Sequence, residues 1–324
     1  MNALPEGLAE FVEHAGWGDS EIAPLPGDAS FRRYFRLERE SESAMLMYAP
    51  PPEEDPKPFL DVARWLTNHG MRAPAILAAD AEAGWVLTED FGDERVREYL
   101  DAHPDEELPV YRTAVDALVE LHTKPAGDFA PYDMATYQRE AALFTEWYTP
   151  AIGLDVDAAG FAQAWDAALA DLLQRQQPGV TVLRDYHAEN IMLPPDGTQG
   201  LIDFQDALVG HPAYDLVSLL QDARRDVSPE TEAEMLAHYI ERAGADAHFK
   251  ADYALLGAQR NAKIVGIFTR LHKRDGKPKY LGMIPRVWAA MERDLAHPAL
   301  EPVARWFAAN IPDKLRKSGG GTIT

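Results

Sequence analysis

Polar and apolar residues alternate with helical spacing over residues 5–15. From about Ile22 to Ala49 the period shortens to that of strands. Phe31, Tyr34, Phe35 and Leu37 sit among arginines there, and the apolar run from Ala44 to Ala49 is stopped by Pro50, Pro51 and Pro52. Three strands are expected. Residues 58–70 regain the helical period through Phe59, Val62, Ala63, Trp65 and Leu66, with Gly70 placed to end the helix. Residues 75–79 and 85–89 read as two more strands. Beyond Phe91 and Gly92 the pattern is mainly helical: 108–123 carries Tyr111, Val115, Leu118, Val119 and Leu121 on one stripe, and helices follow over 137–148 and 161–174. Strands return around 180–183, 191–193 and 200–204, and helices, including 255–271 and 286–295, fill the rest. The expectation is an α+β protein, with a small antiparallel β-rich part at 1–90 and a large helical part at 91–316 meeting at a cleft. Residues 317–324, Lys-Ser-Gly-Gly-Gly-Thr-Ile-Thr, read as a flexible tail.

Composition narrows the class. The chain has 324 residues, 46% hydrophobic and 26% charged, enough for a substantial core in an ordinary globular protein. No apolar run approaches the roughly 18 residues of a membrane helix. The first residues lack the basic and apolar regions of a signal peptide, so a cytoplasmic location is expected. A monomer is also expected. The absence of Cys excludes disulfides, thiolate metal sites and Cys nucleophiles. A net charge of −22 repels nucleic acid and anionic membrane, and neither is expected as a partner. That charge suits solubility spread over helix faces or attraction of a cationic substrate. A triphosphate could approach only where Mg²⁺ and local cations reverse the field.

The chemistry concentrates in Asp185-Tyr186-His187-Ala188-Glu189-Asn190 and Ile202-Asp203-Phe204-Gln205-Asp206. An Asp, an Asn five positions later and an Asp closing the next strand form the set that phosphoryl transfer needs. Asp185 is the expected catalytic residue, orienting the attacking hydroxyl and accepting its proton late. Asn190 and Asp203 are the expected ligands of Mg²⁺, a hard ion that takes oxygen donors and leaves room for phosphate and water. ATP and Mg²⁺ are thus the expected cofactors. No H-E-x-x-H, no G-x-S-x-G and no Walker A loop occurs.

Four motifs lie in order along the chain: Val119-Glu120-Leu121-His122, Arg184 and Asp185 through Asn190, Ile202-Asp203-Phe204, and Gly210-His211-Pro212-Ala213-Tyr214-Asp215-Leu216. In this order and spacing the chain resembles the aminoglycoside phosphotransferase and choline-kinase-like family. Asp28 to Arg36, Ala49 to Glu53, Arg184 to Ala188 and Asp203 to Ala207 resemble more closely one branch of it. That branch phosphorylates the anomeric hydroxyl of N-acetylmuramate and N-acetylglucosamine in bacterial cell-wall recycling. The resemblance implies a protein-kinase-like two-lobe fold and a sugar 1-kinase whose partners are an amino sugar and a nucleotide.

It also implies roles by position. Gly27-Asp28-Ala29-Ser30-Phe31 stands where kinases place the glycine-rich loop, so Asp28, Ser30 and Phe31 are expected near nucleotide phosphates, with one Gly instead of three. The third strand lacks the family's Lys. Arg32, Arg33 and Arg36 are the possible substitutes; strand alternation puts Arg32 and Arg36 on one face and Arg33 on the other. Glu89 and Phe91 mark the segment that binds adenine through its backbone. His187, Gln205, Asp206 and Arg260 are expected at the substrate, with His187 equally suited to holding its loop and Asp206 to capping a turn. Glu189 reads as a solvated or supporting carboxylate, and Asp215 as a buried structural Asp under the catalytic loop. Arg260, Asn261 and Lys263 share a helix that lines the sugar pocket or faces solvent.

Two other readings stay open. One is a kinase of another small hydroxyl compound: an aminoglycoside, choline, homoserine or a ketosamine. The other is a non-catalytic kinase-like binding module, suggested by the missing Lys and opposed by the presence of Asp185, Asn190 and Asp203.

Overall fold

A computed structural model of the chain describes residues 4–26 and 31–323. The chain divides into two compact units. The first runs to Tyr99 and takes in Asn190–Asp206; the second comprises Leu100–Glu189 and the chain from Ala207 onward. The short hairpin after the catalytic loop is thus part of the sheet-bearing unit.

The first unit is built on an antiparallel sheet of β1 (Glu21–Pro24), β2 (Arg33–Arg39), β3 (Glu42–Tyr48), β4 (Ile76–Asp80) and β5 (Trp85–Glu89), in the order β1-β2-β3-β5-β4. Alternation along the strands gives it two apolar faces. On one, Phe35, Leu37, Ala44, Leu46, Trp85 and Leu87 pack under Leu8 and Val12 of α1 (Leu8–His14). On the other, Met47 and Val86 meet Leu60 of α2 (Lys57–Asn68). Pro58 in the first turn of α2 forfeits no helical bond there. Gly70, at φ +78, supplies the left-handed exit foreseen at the helix end. A second hairpin, β7 (Ile191–Met192) with β8 (Gly200–Leu201), pairs Ile191 with Leu201 and Met192 with Gly200. It is tied to the rest of this unit by Leu193 N–H to the Glu94 carbonyl and Leu201 N–H to the Arg72 carbonyl, each 2.8 Å.

The second unit is mainly helical, in the order α3 (Val96–Ala102, entering from the first unit), α4 (Glu107–His122), α5 (Met134–Leu143), α6 (Thr149–Ala151), α7 (Ala158–Arg175), α8 (Ala213–Leu220), α9 (Pro229–Ala243), α10 (Phe249–Lys273), α11 (Ile284–Leu295), α12 (Glu301–Asn310) and α13 (Asp313–Lys317). The 25-residue α10 is its axis, packed by α5, α8 and α11. Because neighbours surround it, its polar residues Gln259, Arg260 and Asn261 are buried, although most such helix residues face water. The helix expected over 137–148 is α-helical only to Leu143 and continues as a π turn, Phe144–Tyr148. Gly266 of α10 allows this approach: a Cβ there would lie 2.4 Å from the Leu143 backbone. Phe144, Phe161, Trp165 and Trp288 are fully buried nearby, each contributing about 1.5–3 kcal/mol by leaving water.

β6 (Val180–Val182) pairs with β9 (Leu208–Gly210), a strand the local pattern does not announce. The strand expected over 200–204 stops at Leu201, because Asp203 turns left-handed at φ +59. The glycine-rich tail is folded back, with the Tyr148 hydroxyl donating to the Gly320 carbonyl at 2.5 Å. Among the described residues no helix is long and apolar enough to cross a membrane.

Candidate active site

The sequence-predicted residues are distributed over both units. In the first unit the β7–β8 hairpin has Asn190 just before its first strand and Asp203 just after its second. Ile202 N–H donates to the Asn190 carbonyl at 3.1 Å, closing the base of the hairpin. The side chains consequently meet: Asn190 Nδ2 donates to Asp203 Oδ2 at 3.3 Å, and Gln205 Nε2 donates to Asp203 Oδ1 at 2.8 Å. Phe204 faces inward and stacks on Phe59 of α2 with centroids 5.1 Å apart. Asp203 is therefore turned outward while its neighbour anchors the loop. Left-handed backbone at a non-glycine residue costs energy, and such strain gathers at functional positions.

An amide oxygen and a carboxylate are the hard donors Mg²⁺ prefers, and two protein ligands leave positions for phosphate and water. The residues present fit that ion. Among the described residues no cluster of three or more His, Cys, Asp or Glu could hold a metal ion.

The other proposed nucleotide residues belong to the same unit. Asp28 and Ser30 lie outside the described residues. Phe31 is exposed. Arg32 Nε donates to Glu54 at 3.2 Å, and the Arg33 guanidinium sits 5.2 Å from the Phe35 ring centroid. Glu89 receives two bonds from Arg72, each 2.7 Å, which hold its carboxyl below the ordinary value. Phe91 is buried under the Arg72 guanidinium and beside Gly200, where a Cβ would strike its ring. Asp206, exposed, is the last residue of this unit.

In the second unit the loop that carries Asp185 is pinned from three sides. Fully buried Asp215, in the first turn of α8, accepts from Leu183 N–H at 2.6 Å and Arg184 N–H at 2.7 Å. Burial nonetheless pushes its carboxyl up to about 7, against the pull of those two donors. Tyr186 donates from its hydroxyl to the Ala114 carbonyl of α4 at 2.9 Å. Asp222 accepts from Ala188 N–H at 3.2 Å and Arg224 N–H at 2.8 Å. Arg224 reaches Glu189 at 2.8 Å and His187 Nε2 at 3.1 Å. A guanidinium can only donate, so that imidazole nitrogen accepts and the neutral ring carries its proton on Nδ1. Burial holds the His187 pKa down at about 3.

Arg184 takes φ +71, a left-handed backbone that is strained at a non-glycine residue. Its side chain pairs with Glu140, which also receives Lys263 Nζ at 2.9 Å and the Tyr132 hydroxyl. Asp185 keeps 45% of its side chain exposed. Desolvation raises its pKa, but the electrostatics of its surroundings, Lys263 foremost, outweigh it and hold the carboxyl below the ordinary value. Arg260, 3% exposed, donates from Nη2 to Ser218 Oγ at 2.6 Å and places that nitrogen 4.0 Å from Asp185 Oδ1. Among the described residues its Nη1 has no hydrogen-bond partner. An ionised, reachable carboxylate among cations is suited to orienting a hydroxyl and accepting a proton. Sequence reasoning passed over Glu140, Asp222 and Arg224. Glu140 had a signal, since it falls on the stripe of α5 shared by buried Tyr137 and Ala141.

Residues 21–252 match the model of the phosphotransferase enzyme family, and the chain belongs to that family. A relative in Caulobacter vibrioides named N-acetylmuramate/N-acetylglucosamine kinase is 37% identical, covering 95% of this chain and 97% of its own. A Pseudomonas aeruginosa relative of the same name is 38% identical over 89% of both chains. The fold is similar to that in the streptomycin–ATP–APH(2")-IIa ternary complex, with TM-score 0.62, 15% identity, and coverage of 94% of this chain and 99% of that one.

Proposed function

We propose that this protein transfers the γ-phosphoryl group of ATP to the anomeric hydroxyl of N-acetylmuramate or N-acetylglucosamine. The reaction class is carried by one observation: a hairpin base joins the Asn190 amide to the Asp203 carboxylate, five residues after ionised Asp185. The names of relatives matching nearly the whole chain support the sugar. The ATP of a structural neighbour supports the donor.

Asp185 orients the sugar hydroxyl and takes its proton as the O–P bond forms and the bond between the γ-phosphorus and the bridging oxygen breaks, with ADP leaving. Lys263, together with Arg260 and Arg184, keeps that carboxylate ionised until the proton arrives. Asn190 and Asp203 hold Mg²⁺, which, when bound, neutralises charge on the phosphate oxygens. His187, neutral and buried, fixes the loop through Arg224. Gln205 and Asp206 follow the metal Asp and are assigned to sugar hydroxyls.

The test is a proton and phosphorus NMR assay with ATP, Mg²⁺ and each acetylated sugar. A product phosphorus coupled to the anomeric proton is expected. Phosphorylation at another carbon, or no turnover while an aminoglycoside, choline, homoserine or ketosamine releases ADP, would replace this substrate assignment.

A further inference from the structure

Kinases of this fold neutralise nucleotide phosphates with a third-strand lysine held by a helix glutamate. Here β3 presents Met45, Leu46, Met47 and Tyr48, so the cation must come from elsewhere. The protein carries a net charge of −22, and a triphosphate needs a local positive group to approach it. Three arginines lie at β2, and their surroundings separate them.

Arg36 is committed to a structural cluster. Its Nε lies 2.7 Å from Asp90, whose side chain is 3% exposed, and its Nη2 lies 2.8 Å from Asp93. It also donates to the Gly92 carbonyl. Arg33 lies on the opposite face, over Phe35, whose ring packs with Leu8 and Val12. Arg32 lies on the α2 face with Tyr34, which stands opposite Met47 in the β2–β3 register. Its Nε donates at 3.2 Å to Glu54, just before α2, and both partners are part-buried. Phe59 of α2 stacks on Phe204, the neighbour of Asp203, with centroids 5.1 Å apart, so the Asp203 hairpin meets the same helix that packs on this face. The Tyr34 phenol, raised mainly by burial, also feels Arg32, Asp203 and Glu54.

We infer that Arg32 and Glu54 together replace the third-strand lysine and its helix glutamate: Arg32 anchors the nucleotide phosphates, and Glu54 holds its guanidinium on the Asp203 side of the sheet. A guanidinium has five N–H donors and can hold a carboxylate and a phosphate together, which the point charge of an ammonium does less well. This inference rests on the nucleotide part of the proposed function and is independent of the sugar.

The experiment is calorimetric titration of the protein with ADP, without sugar. Arg32→Gln should weaken ADP binding about 10- to 100-fold, the range for losing hydrogen bonds to a charged group. Arg32→Lys should restore part of it, and Glu54→Gln should lose about 3- to 10-fold. Lys57→Gln removes one charge from the exposed end of α2 and should change binding by less than about 2-fold. Melting of each ligand-free variant monitors folding; if Arg32→Gln melts early, Arg32→Lys and Glu54→Gln decide by the same criterion. Wild-type ADP affinity in a folded Arg32→Gln, or loss in Arg33→Gln instead, would overturn the assignment. A protein that binds ADP through Arg32 yet phosphorylates neither sugar would leave it standing and remove only the substrate reading.

Discussion

Nη2 of Arg260 stands 4.0 Å from Oδ1 of Asp185, on a guanidinium that is almost wholly buried. Burying a cation costs several kcal/mol unless anions answer it. The charge of Arg260 acts on Asp185, Asp215 and Asp222 alike, lowering the pKa of each against desolvation. One side chain of α10 thus balances the carboxylates that form and support the catalytic loop.

Arg260→Gln should therefore let the Asp185 pKa rise. The acidic limb of the kcat/KM profile should move to higher pH, since a nearby opposite charge favours the ionised carboxylate and Arg260 is one of the cations, after Lys263, that do so here. Asp185→Asn should lower kcat about 10²- to 10⁴-fold with an unchanged melting temperature. Profiles from coupled ADP release check both, and an unmoved limb in Arg260→Gln would separate Arg260 from the proton acceptor.

Asp203→Asn removes the charge of the hairpin carboxylate but keeps a residue type that tolerates φ +59. Folding should survive, while the Mg²⁺ concentration for half-maximal activity should rise at least about tenfold. Asp203→Val should also lose stability, because a β-branched side chain resists that backbone conformation. Metal titrations and melting curves distinguish the two effects.

Glu140 accepts from both Arg184 and Lys263. Glu140→Gln removes a buried negative charge that two part-buried cations share and should destabilise the protein by about 3–5 kcal/mol. Urea unfolding measures this. A loss under 1 kcal/mol would mean that the pair is rehydrated on substitution.

His122 accounts for a separable part of the acid response. Burial holds its pKa at about 3 against an ordinary 6.5, with its Nδ1 at 2.7 Å from the Tyr239 hydroxyl. Below pH 6.5 the unfolded chain binds a proton at this residue that the folded chain refuses. Its contribution is complete above 6.5 and is lost as pH falls toward 3. Asp215, raised to about 7 from 3.8, works in the opposite sense, and its contribution disappears as pH rises through 7. Comparing His122→Asn with wild type cancels the Asp215 term. Between pH 7 and pH 5 the variant should gain about 2 kcal/mol relative to wild type, which urea unfolding at both values would reveal.

The order of elements, the α+β class and the spacing of Asp185, Asn190 and Asp203 were legible along the chain, because period and neighbour distance are local properties. The same reading could limit the cation to three arginines, and alternation could put Arg33 apart from Arg32 and Arg36. It could not tell which carboxylates each of the last two meets. That depended on Asp90, Asp93 and Glu54, which are 54, 57 and 22 residues away from their partners. The left-handed turns at Arg184 and Asp203, the pairing of β6 with β9, and the burial of Arg260 likewise arose only when distant segments packed. A side chain's charge is written in its codon, but whether that charge meets water, a metal or a buried carboxylate is set by what the fold brings against it.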